Sequence, residues 1–320
     1  NAQEDSEKKS QADLVMETII ASGAEFFSDE RGKPHAAIPT EKGRHVVSMD
    51  SPEFTNHVSF VAYSTLNHVP NSEVINSVKR GMMGMAQYGD NRHTLHVRVA
   101  WHDGAIWIDK DGYKAIRVTE KGWDIVDNPP ILFRSFSHQK PLPDPIKGGD
   151  PRKLLDFVNI RDDLGRLAIM CHVTAAMVPD IPCNALILYG GQGTAKSTLL
   201  KLIKMLLDPS ELDLNMEIKK LEQYVLPAWQ CRMLNIDNMT SLPKWLSNAL
   251  CCTVTGAAQA SRSHYTMEEL NILKIRRVVG LSGINLVADR PDFLERSTII
   301  SLDPIPPHQR REESEFWESF

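Results

Sequence analysis

Residues 185–207 read ALILYGGQGTAKSTLLKLIKMLL, and this stretch decides the fold. A short apolar run ends at Tyr189, a glycine-rich turn follows, and the next run places its apolar residues at helical spacing. A buried strand that leads through such a turn into a helix begins a strand–helix–strand unit, in which the strands are parallel and helices cover the sheet. The stretch therefore predicts an α/β domain.

The turn fits the phosphate-binding pattern G-x-x-x-x-[GA]-K-[ST] and lies between a strand and a helix, as that pattern requires. Its backbone N–H groups are expected to surround a β-phosphate at the positive end of the helix. Lys196 would reach the β- and γ-phosphates, and Ser197 would bind Mg²⁺. A glycine turn that merely joins strand to helix is the alternative. The predicted ATP contacts are Gly190, Gly191, Gln192, Gly193, Thr194, Ala195, Lys196, Ser197 and Thr198.

Two later strands supply polar groups for the same site. The strand MLNIDN ends in Asp237, which is expected to hold Mg²⁺, unless it caps a helix or a turn. Asn238 stands where many ATPases carry a glutamate. An amide can bind water but cannot accept its proton, so hydrolysis is expected to be slow or to use another group. The strand RRVVGLSGI contains Ser282, which is predicted to sense or position the water; a simple strand-end hydroxyl is the alternative.

The stretch RPDFLER at 290–296 precedes the last predicted strand, STIISL. An arginine at this place lies at a subunit edge and can stabilise the γ-phosphoryl group bound by a neighbour, because its planar fork matches spread negative charge. Arg296 is the predicted trans-acting arginine and Arg290 is the alternate. A surface salt bridge to Glu295 or Asp292 would also explain an arginine here.

Basic and aromatic residues are concentrated in the insertion TGAAQASRSHYTMEELNILKIRR at 255–277. In a ring, a hairpin here would line the pore and grip the backbone and bases of single-stranded DNA. A solvated hairpin, or a tyrosine packed in the core, remains open as the alternative. The residues that we expect to contact DNA are Arg262, His264, Tyr265 and Lys274.

Upstream, the pattern predicts a small mixed α+β domain. Apolar residues recur at helical spacing from Leu14 to Phe27 and again over 72–88, a tight hairpin turn is expected at Asp-Glu-Arg-Gly, and 94–134 reads as a run of strands. The predicted organisation is a disordered lead-in at 1–12, an α+β domain at 13–139, a proline- and glycine-rich linker at 140–151, and an ATPase domain at 152–320 that ends at the start of a helical lid.

Composition limits the classes of function. The net charge of −5 argues against a basic coat, so contact with DNA would need a local patch or a symmetric pore. The five cysteines are scattered, which argues against disulfides or a zinc site and fits a reducing, cytoplasmic compartment. The sequence contains no apolar run as long as a membrane span and its first residues are polar, so neither a span nor a secretory signal is expected.

From Leu186 to Leu302, and more loosely over most of 14–320, the sequence resembles ATP-binding proteins of prophages, plasmids and other integrated elements. These proteins are similar to superfamily 3 and minichromosome-maintenance-type AAA+ helicases. The resemblance implies a hexameric ATPase that serves replication or mobilisation of the element, often near a primase. Asn238 matches an Asp-Asn pair of this group, whereas Ser282 departs from the asparagine expected there. The residues that carry over individually are Lys196, Ser197, Asp237 and Arg296.

Together these features predict an ATP-dependent DNA translocase or helicase of a mobile element, hydrolysing ATP with Mg²⁺ between subunits of a ring, with the α+β domain as a collar. The alternative is a nucleotide-switched AAA+ loader or assembly platform in replication or defence, with slow turnover that is independent of DNA. A small-molecule kinase lacks support, because no lid-like arginine cluster is present. A primase activity within this chain is not expected, since residues 1–150 lack its acidic constellation.

Overall fold

The computed structural model describes residues 9–215, 218–262 and 270–320, with the backbone alone for 258–262 and 270–274. Two compact units are present. One comprises the chain up to Val97 together with Trp107–Ser135, and the other comprises Arg98–Ile106 with Phe136–Phe320. The predicted linker at 140–151 remains a prediction; a short 3-10 helix, Pro151–Asp156, begins at its last residue.

The described helices and strands are numbered in chain order. The helices are α1 (Gln11–Ala21), α2 (Pro52–Leu66), α3 (Ser72–Tyr88), α4 (Asp163–Met177), α5 (Lys196–Leu207), α6 (Leu221–Gln230), α7 (Lys244–Thr255), α8 (Pro291–Leu294) and α9 (Glu313–Ser319). The strands are β1 (Glu25–Ser28), β2 (Pro34–Thr40), β3 (Gly43–Ser48), β4 (Leu95–His96), β5 (Val99–His102), β6 (Ala105–Asp109), β7 (Lys114–Thr119), β8 (Gly122–Asp127), β9 (Leu132–Phe133), β10 (Ala185–Tyr189), β11 (Met233–Met239), β12 (Ala258–Arg262), β13 (Leu270–Lys274), β14 (Val278–Gly283) and β15 (Ser297–Ser301).

In the first unit, α1, α2 and α3 pack against one another beside the antiparallel sheet β1-β2-β3. Each helix begins at a polar side chain that accepts a hydrogen bond from the first turn: Ser10 for α1, Ser51 for α2 and Asn71 for α3. Their buried faces form one apolar core with the sheet, in which Val58 and Met82 are fully buried. The small domain therefore has mixed α and β structure.

Two sequence predictions for this unit can be compared with its elements. The helix expected over 72–88 is α3, and the predicted turn joins β1 to β2, where the Asp29 amide donates to the Lys33 carbonyl at 2.9 Å. The helical spacing expected up to Phe27 is wrong at its end, because Phe26 and Phe27 lie in β1. Gly23, with a φ of 83°, ends the helix there, since a left-handed residue cannot continue a right-handed helix.

The second unit is built on a parallel sheet of four strands in the order β11-β14-β10-β15. Neighbouring residues of β10 face opposite sides of this sheet. Ile187 packs with residues of α6, α7 and α8, whereas Leu186 and Leu188 pack with residues of α4 and α5. Because both faces are buried under helices, the strands are nearly continuous apolar runs. The predicted parallel sheet flanked by helices is confirmed.

A buried cluster of charges fixes the far end of α5 to the start of β11. The Asp208 carboxylate is 1% exposed and accepts from Arg98 Nε at 2.9 Å, from Lys204 Nζ at 3.1 Å and from the amide of Arg232 at 2.8 Å. Burial alone would raise the pKa of Asp208, but Lys204 and Arg98 hold it below its usual value. Removing one partner of such a cluster leaves an uncompensated charge in the interior, which costs about 3–5 kcal/mol.

No helix among the described residues combines the length and apolar character needed to cross a membrane.

His172 is a buried histidine on α4 that lacks a strong partner. It is 5% exposed, its Nδ1 lies 3.8 Å from Cys183 Sγ, and its Nε2 has no hydrogen-bond partner within the described part of the chain. Burial lowers the pKa of His172 to about 4, because the charged imidazolium would lose its hydration. In the folded protein this ring is therefore neutral at neutral pH.

Acid is expected to destabilise the protein through His172. The unfolded histidine takes up its proton near pH 6.5 and the folded one only near pH 4. The free energy of unfolding should thus fall by about 3 kcal/mol as the pH drops through this window. Denaturant unfolding at several pH values measures this fall. The apolar variant His172→Leu should lose it, and the variant of an exposed histidine, His68→Gln, should keep it. A His172→Leu protein with the full acid dependence would contradict this account.

Candidate functional site

The glycine-rich turn connects the end of β10 to the first residue of α5, as its sequence predicts. Its first residue is held between the two neighbouring strands: the Gly190 amide donates to the carbonyl of Ile284 at 3.3 Å, and a Cβ at Gly190 would collide with the carbonyl oxygen of Leu302. Further along, Gly193 (φ 68°) and Ala195 (φ 63°) adopt left-handed conformations. Two such residues so close together curl the backbone into a concave turn.

The carbonyl oxygens of this turn accept hydrogen bonds from known donors. Lys196 Nζ donates to the carbonyls of Gly190 and Gly191, both at 2.8 Å, and so spans the turn. The Gly193 carbonyl accepts from the Ile305 amide at 3.0 Å, and the Thr194 carbonyl accepts from Asn159 Nδ2 at 3.2 Å. The oxygens are therefore engaged within the protein itself.

The backbone N–H groups of the turn differ from its carbonyl oxygens in their hydrogen bonding. Among residues 9–215, 218–262 and 270–320, no acceptor is found for the N–H groups from Gly191 to Ser197. They lie at the N-terminus of α5, where the helix dipole adds partial positive charge. A concave turn with free N–H groups, a helix N-terminus and one lysine ammonium is an arrangement that binds a phosphate group. Burial lowers the pKa of Lys196, while Asp237 acts in the opposite direction.

Asp237 lies beside the turn and in contact with it. Ser197 Oγ donates to Asp237 Oδ1 at 3.0 Å, and Ser282 Oγ donates to the same oxygen. The Asn238 amide donates to Ser282 Oγ at 3.2 Å, and Asn238 itself has a φ of 55°. The pairing of β11 with β14 is irregular between Ile236 and Met239. This irregularity turns the Asp237 carboxylate towards Ser197 and leaves the Asn238 side chain exposed.

The geometry thus brings together Lys196, Ser197, Asp237 and Ser282 from one helix and two parallel strands. A hydroxyl and a carboxylate in contact are oxygen donors of the kind that Mg²⁺ takes when phosphate oxygens and water complete its shell. Within the described ranges, no cluster of three or more histidine, cysteine, aspartate or glutamate side chains suits a metal ion. A magnesium ion at this turn would therefore depend on Ser197, Asp237 and the bound phosphates.

Neither predicted arginine joins this group. The Arg296 carbonyl accepts from the Ala185 amide at 2.9 Å, which places Arg296 where β10 begins, whereas the turn lies where β10 ends. Its guanidinium donates to the carbonyl of Asp292. Arg290 forms an ion pair with Asp292 at 3.4 Å, which is the surface salt bridge expected as an alternative for that residue. Arg296 therefore lies at the opposite edge of the sheet from the glycine-rich turn, and Arg290 is paired with Asp292.

The predicted insertion contains a hairpin in its described part. β12 and β13 pair antiparallel, with Arg262 opposite Leu270 and Lys274 opposite Ala258. Arg262 therefore lies at the end towards the connection, and Lys274 lies near the helix α7. His264 and Tyr265 fall outside the described residues. The contact of this hairpin with DNA remains a prediction.

Sequence reasoning missed three contacts of the turn. Asn159 Nδ2 donates to the carbonyls of Thr194 at 3.2 Å and Asp303 at 2.6 Å. Ile305 donates its amide to Gly193, and a Cβ at Gly193 would lie 2.7 Å from Arg310 Nη2. These residues come from the loop before α4 and from the segment after β15. They belong to no motif, and only the proximity of the chain segments in the fold identifies them.

Comparison with known proteins gives one family and a set of similar folds. The family model "Actinomycete integrative conjugative element replication protein" matches residues 152–320. No curated protein matches the sequence.

The A form of the apo NrS-1 C-terminal region has a TM-score of 0.52 and 13% identity, covering 95% of this chain and 65% of that one. Another apo structure of the NrS-1 C-terminal region has a TM-score of 0.51 and 12% identity, covering 98% of this chain and 67% of that one. The chain thus spans about two thirds of the length of these structures, and at such identity the likeness concerns the fold alone.

The family match covers more than half of the sequence and includes the glycine-rich turn, Asp237 and both arginines. The expected origin in an integrated element is thereby confirmed at the level of the family. The chain belongs to the replication proteins of actinomycete integrative conjugative elements.

Proposed function

We propose that this replication protein binds ATP with Mg²⁺ at Gly190–Thr198 and hydrolyses it to drive a DNA translocase or helicase. The observation that carries the proposal is that the N–H groups from Gly191 to Ser197 have no acceptor among the described residues, in a turn that Lys196 spans. Such groups cost free energy when they lack an acceptor, and the β-phosphate of a nucleotide supplies one.

Each side chain of the site has a separate task in this proposal. Lys196 neutralises charge on the β- and γ-phosphates, and Ser197 with Asp237 holds the magnesium ion, which supplies charge stabilisation to the transferring phosphoryl group. Ser282 donates to Asp237 and accepts from the Asn238 amide, so its contacts favour orienting the carboxylate over sensing the water. Asn238 can bind the attacking water but cannot take its proton, which favours slow basal hydrolysis.

The topology supports assignment to the AAA+ class of P-loop ATPases. The turn follows β10, Asp237 lies near the end of β11, and the polar residue Ser282 lies on β14 between them. The strand order β11-β14-β10-β15 thus places the strand of Ser282 between the strand of Asp237 and the strand that leads into the turn. A hairpin between α7 and β14 occupies the place that we expect to line a pore.

Lys196→Ala is expected to abolish ATP binding, because the turn loses the ammonium that spans it. Titration with a fluorescent ATP analogue would measure a loss of at least about 100-fold in affinity, the order expected for a charge-assisted contact. The matched control is Lys201→Ala on the same helix, which should bind as the wild type does. Unchanged binding by Lys196→Ala would refute the phosphate-binding assignment.

In the proposed ring, Arg296 would act on the nucleotide bound by a neighbouring subunit. An arginine at the opposite edge of the sheet cannot serve the turn of its own chain, but it can reach a neighbour's γ-phosphate. Arg296→Ala should bind ATP normally and lose hydrolysis. Mixing it with Asp237→Asn should restore part of the ATPase rate, because some interfaces then combine an intact arginine with an intact aspartate. Absence of any recovery, with mixed oligomers confirmed by mass photometry, would contradict the trans arrangement.

The two candidate functions, a DNA translocase and a nucleotide-switched loader, differ in their response to DNA. A translocase should hydrolyse ATP faster with single-stranded DNA, and changing Lys274 to Ala should reduce both DNA affinity and its salt dependence. A nucleotide-switched loader should bind ATP, turn over slowly and give the same rate with or without DNA; the exposed Asn238 favours this second candidate. Steady-state ATPase rates at several salt concentrations, with and without single-stranded DNA, distinguish the two.

A further inference from the structure

The phosphate-binding turn is tied to the protein by a side chain from outside its motif. Asn159 lies in the loop between the 3-10 helix Pro151–Asp156 and α4. One nitrogen of its amide donates to the carbonyl of Thr194 in the turn at 3.2 Å and to the carbonyl of Asp303 after β15 at 2.6 Å. A single side chain thereby joins three separate segments at the turn.

The consequence follows from the geometry of the peptide group. In a planar trans peptide, the carbonyl of one residue and the N–H of the next point in opposite directions. Holding the Thr194 carbonyl from outside therefore aims the Ala195 N–H into the turn. In the same way, the bond from the Ile305 amide to the Gly193 carbonyl aims the Thr194 N–H inward. These are two of the N–H groups that a β-phosphate would contact.

The turn needs such ties because its backbone conformation is strained. Ala195 has a φ of 63° and a ψ of 27°, and a left-handed conformation costs a non-glycine residue about 1–2 kcal/mol. Strained residues keep their conformation only where surrounding contacts enforce it. The helix contributes one such contact, from the Leu199 amide to the Ala195 carbonyl at 3.0 Å. The peptide before Ala195 is held by Asn159.

Asn159 is itself fixed by its neighbours. Ile160 is 4% exposed and belongs to the core beneath the sheet, with Leu154 on the other side of the loop. The Phe157 ring packs edge-on against Phe316 and Phe320, with ring centroids 5.7 Å and 5.1 Å apart. A side chain between anchored residues loses little conformational freedom when it bonds, so its contacts act as a support and not as a transient link.

We infer that Asn159 is a positioning residue of the nucleotide site, which keeps the Thr194–Ala195 peptide turned so that its N–H faces the bound phosphate. The inference rests on the proposed function. Asn159 does not touch the nucleotide and acts through the backbone of the turn. Because the β-phosphate is common to ATP and ADP, both ligands depend on it equally.

Asn159→Ala is expected to weaken the binding of ATP and of ADP each by about tenfold, the worth of a hydrogen bond that preorganises the site. At saturating ATP the turnover rate should remain within about twofold of wild type, since no reacting group changes. Asn159→Asp keeps the shape but presents oxygens to two carbonyls and should bind more weakly still. Asn159→Gln retains an amide donor and should recover part of the affinity. Asn248→Ala, which changes an exposed asparagine on α7, serves as the control.

Calorimetric titration with each nucleotide, together with thermal unfolding of each variant, tests the inference. A merely structural role would lower the unfolding temperature of Asn159→Ala and leave the affinity of the folded protein for ADP unchanged, and that outcome overturns the inference. Should Asn159→Ala fail to fold, the comparison of Asn159→Gln with Asn159→Asp decides in its place. If Asn159→Ala binds normally while Lys196→Ala does not bind, only the role of Asn159 is wrong. If the wild type binds no nucleotide, the proposed function is wrong as well.

Discussion

The parallel arrangement of β10, β11 and β14 is the constraint on which the candidate site depends. The carboxyl ends of parallel neighbours meet at one edge of the sheet, so a turn after β10, an acid at the end of β11 and a hydroxyl on β14 must come together there. The contacts of Ser197 and Ser282 with Asp237 are the result. Apolar side chains on both faces of the sheet hold this arrangement, because any register shift would move a strand's side chains to the wrong layer.

Much of this arrangement could be predicted from the sequence. The pattern of β10, turn and α5 is local, since the apolar run, the glycines and the helix-forming run follow one another within one stretch. Asp237 and Ser282 could be named because each ends or lies on an apolar strand, where the rules for parallel sheets place them. Their contact with each other depends also on the strand order, in which β14 lies beside β11, and the residues of either strand alone do not give that order.

The rest depends on contacts between distant segments. Asn159 reaches Thr194 and Asp303 across large separations in the chain, and nothing in the residues around it distinguishes it from any other loop asparagine. The left-handed conformation of Ala195 could not be predicted either, because alanine has a high propensity for right-handed α-helix. The apolar spacing also predicts too long a helix α1, because Phe26 and Phe27 continue that spacing although Gly23 before them changes the direction of the chain.

In the proposed ATPase, the position of Arg296 would place a residue needed for turnover away from the turn that binds ATP. Arg296 immediately precedes β15, and the five residues of that strand extend for about 16 Å before the edge that carries the glycine-rich turn. That span exceeds the length of an arginine side chain. In the proposed ring, Arg296 would therefore act on the nucleotide bound by a neighbouring molecule, so specific activity would rise with protein concentration and an isolated subunit would keep its ATP unhydrolysed. Assembly of the ring would then itself start ATP hydrolysis.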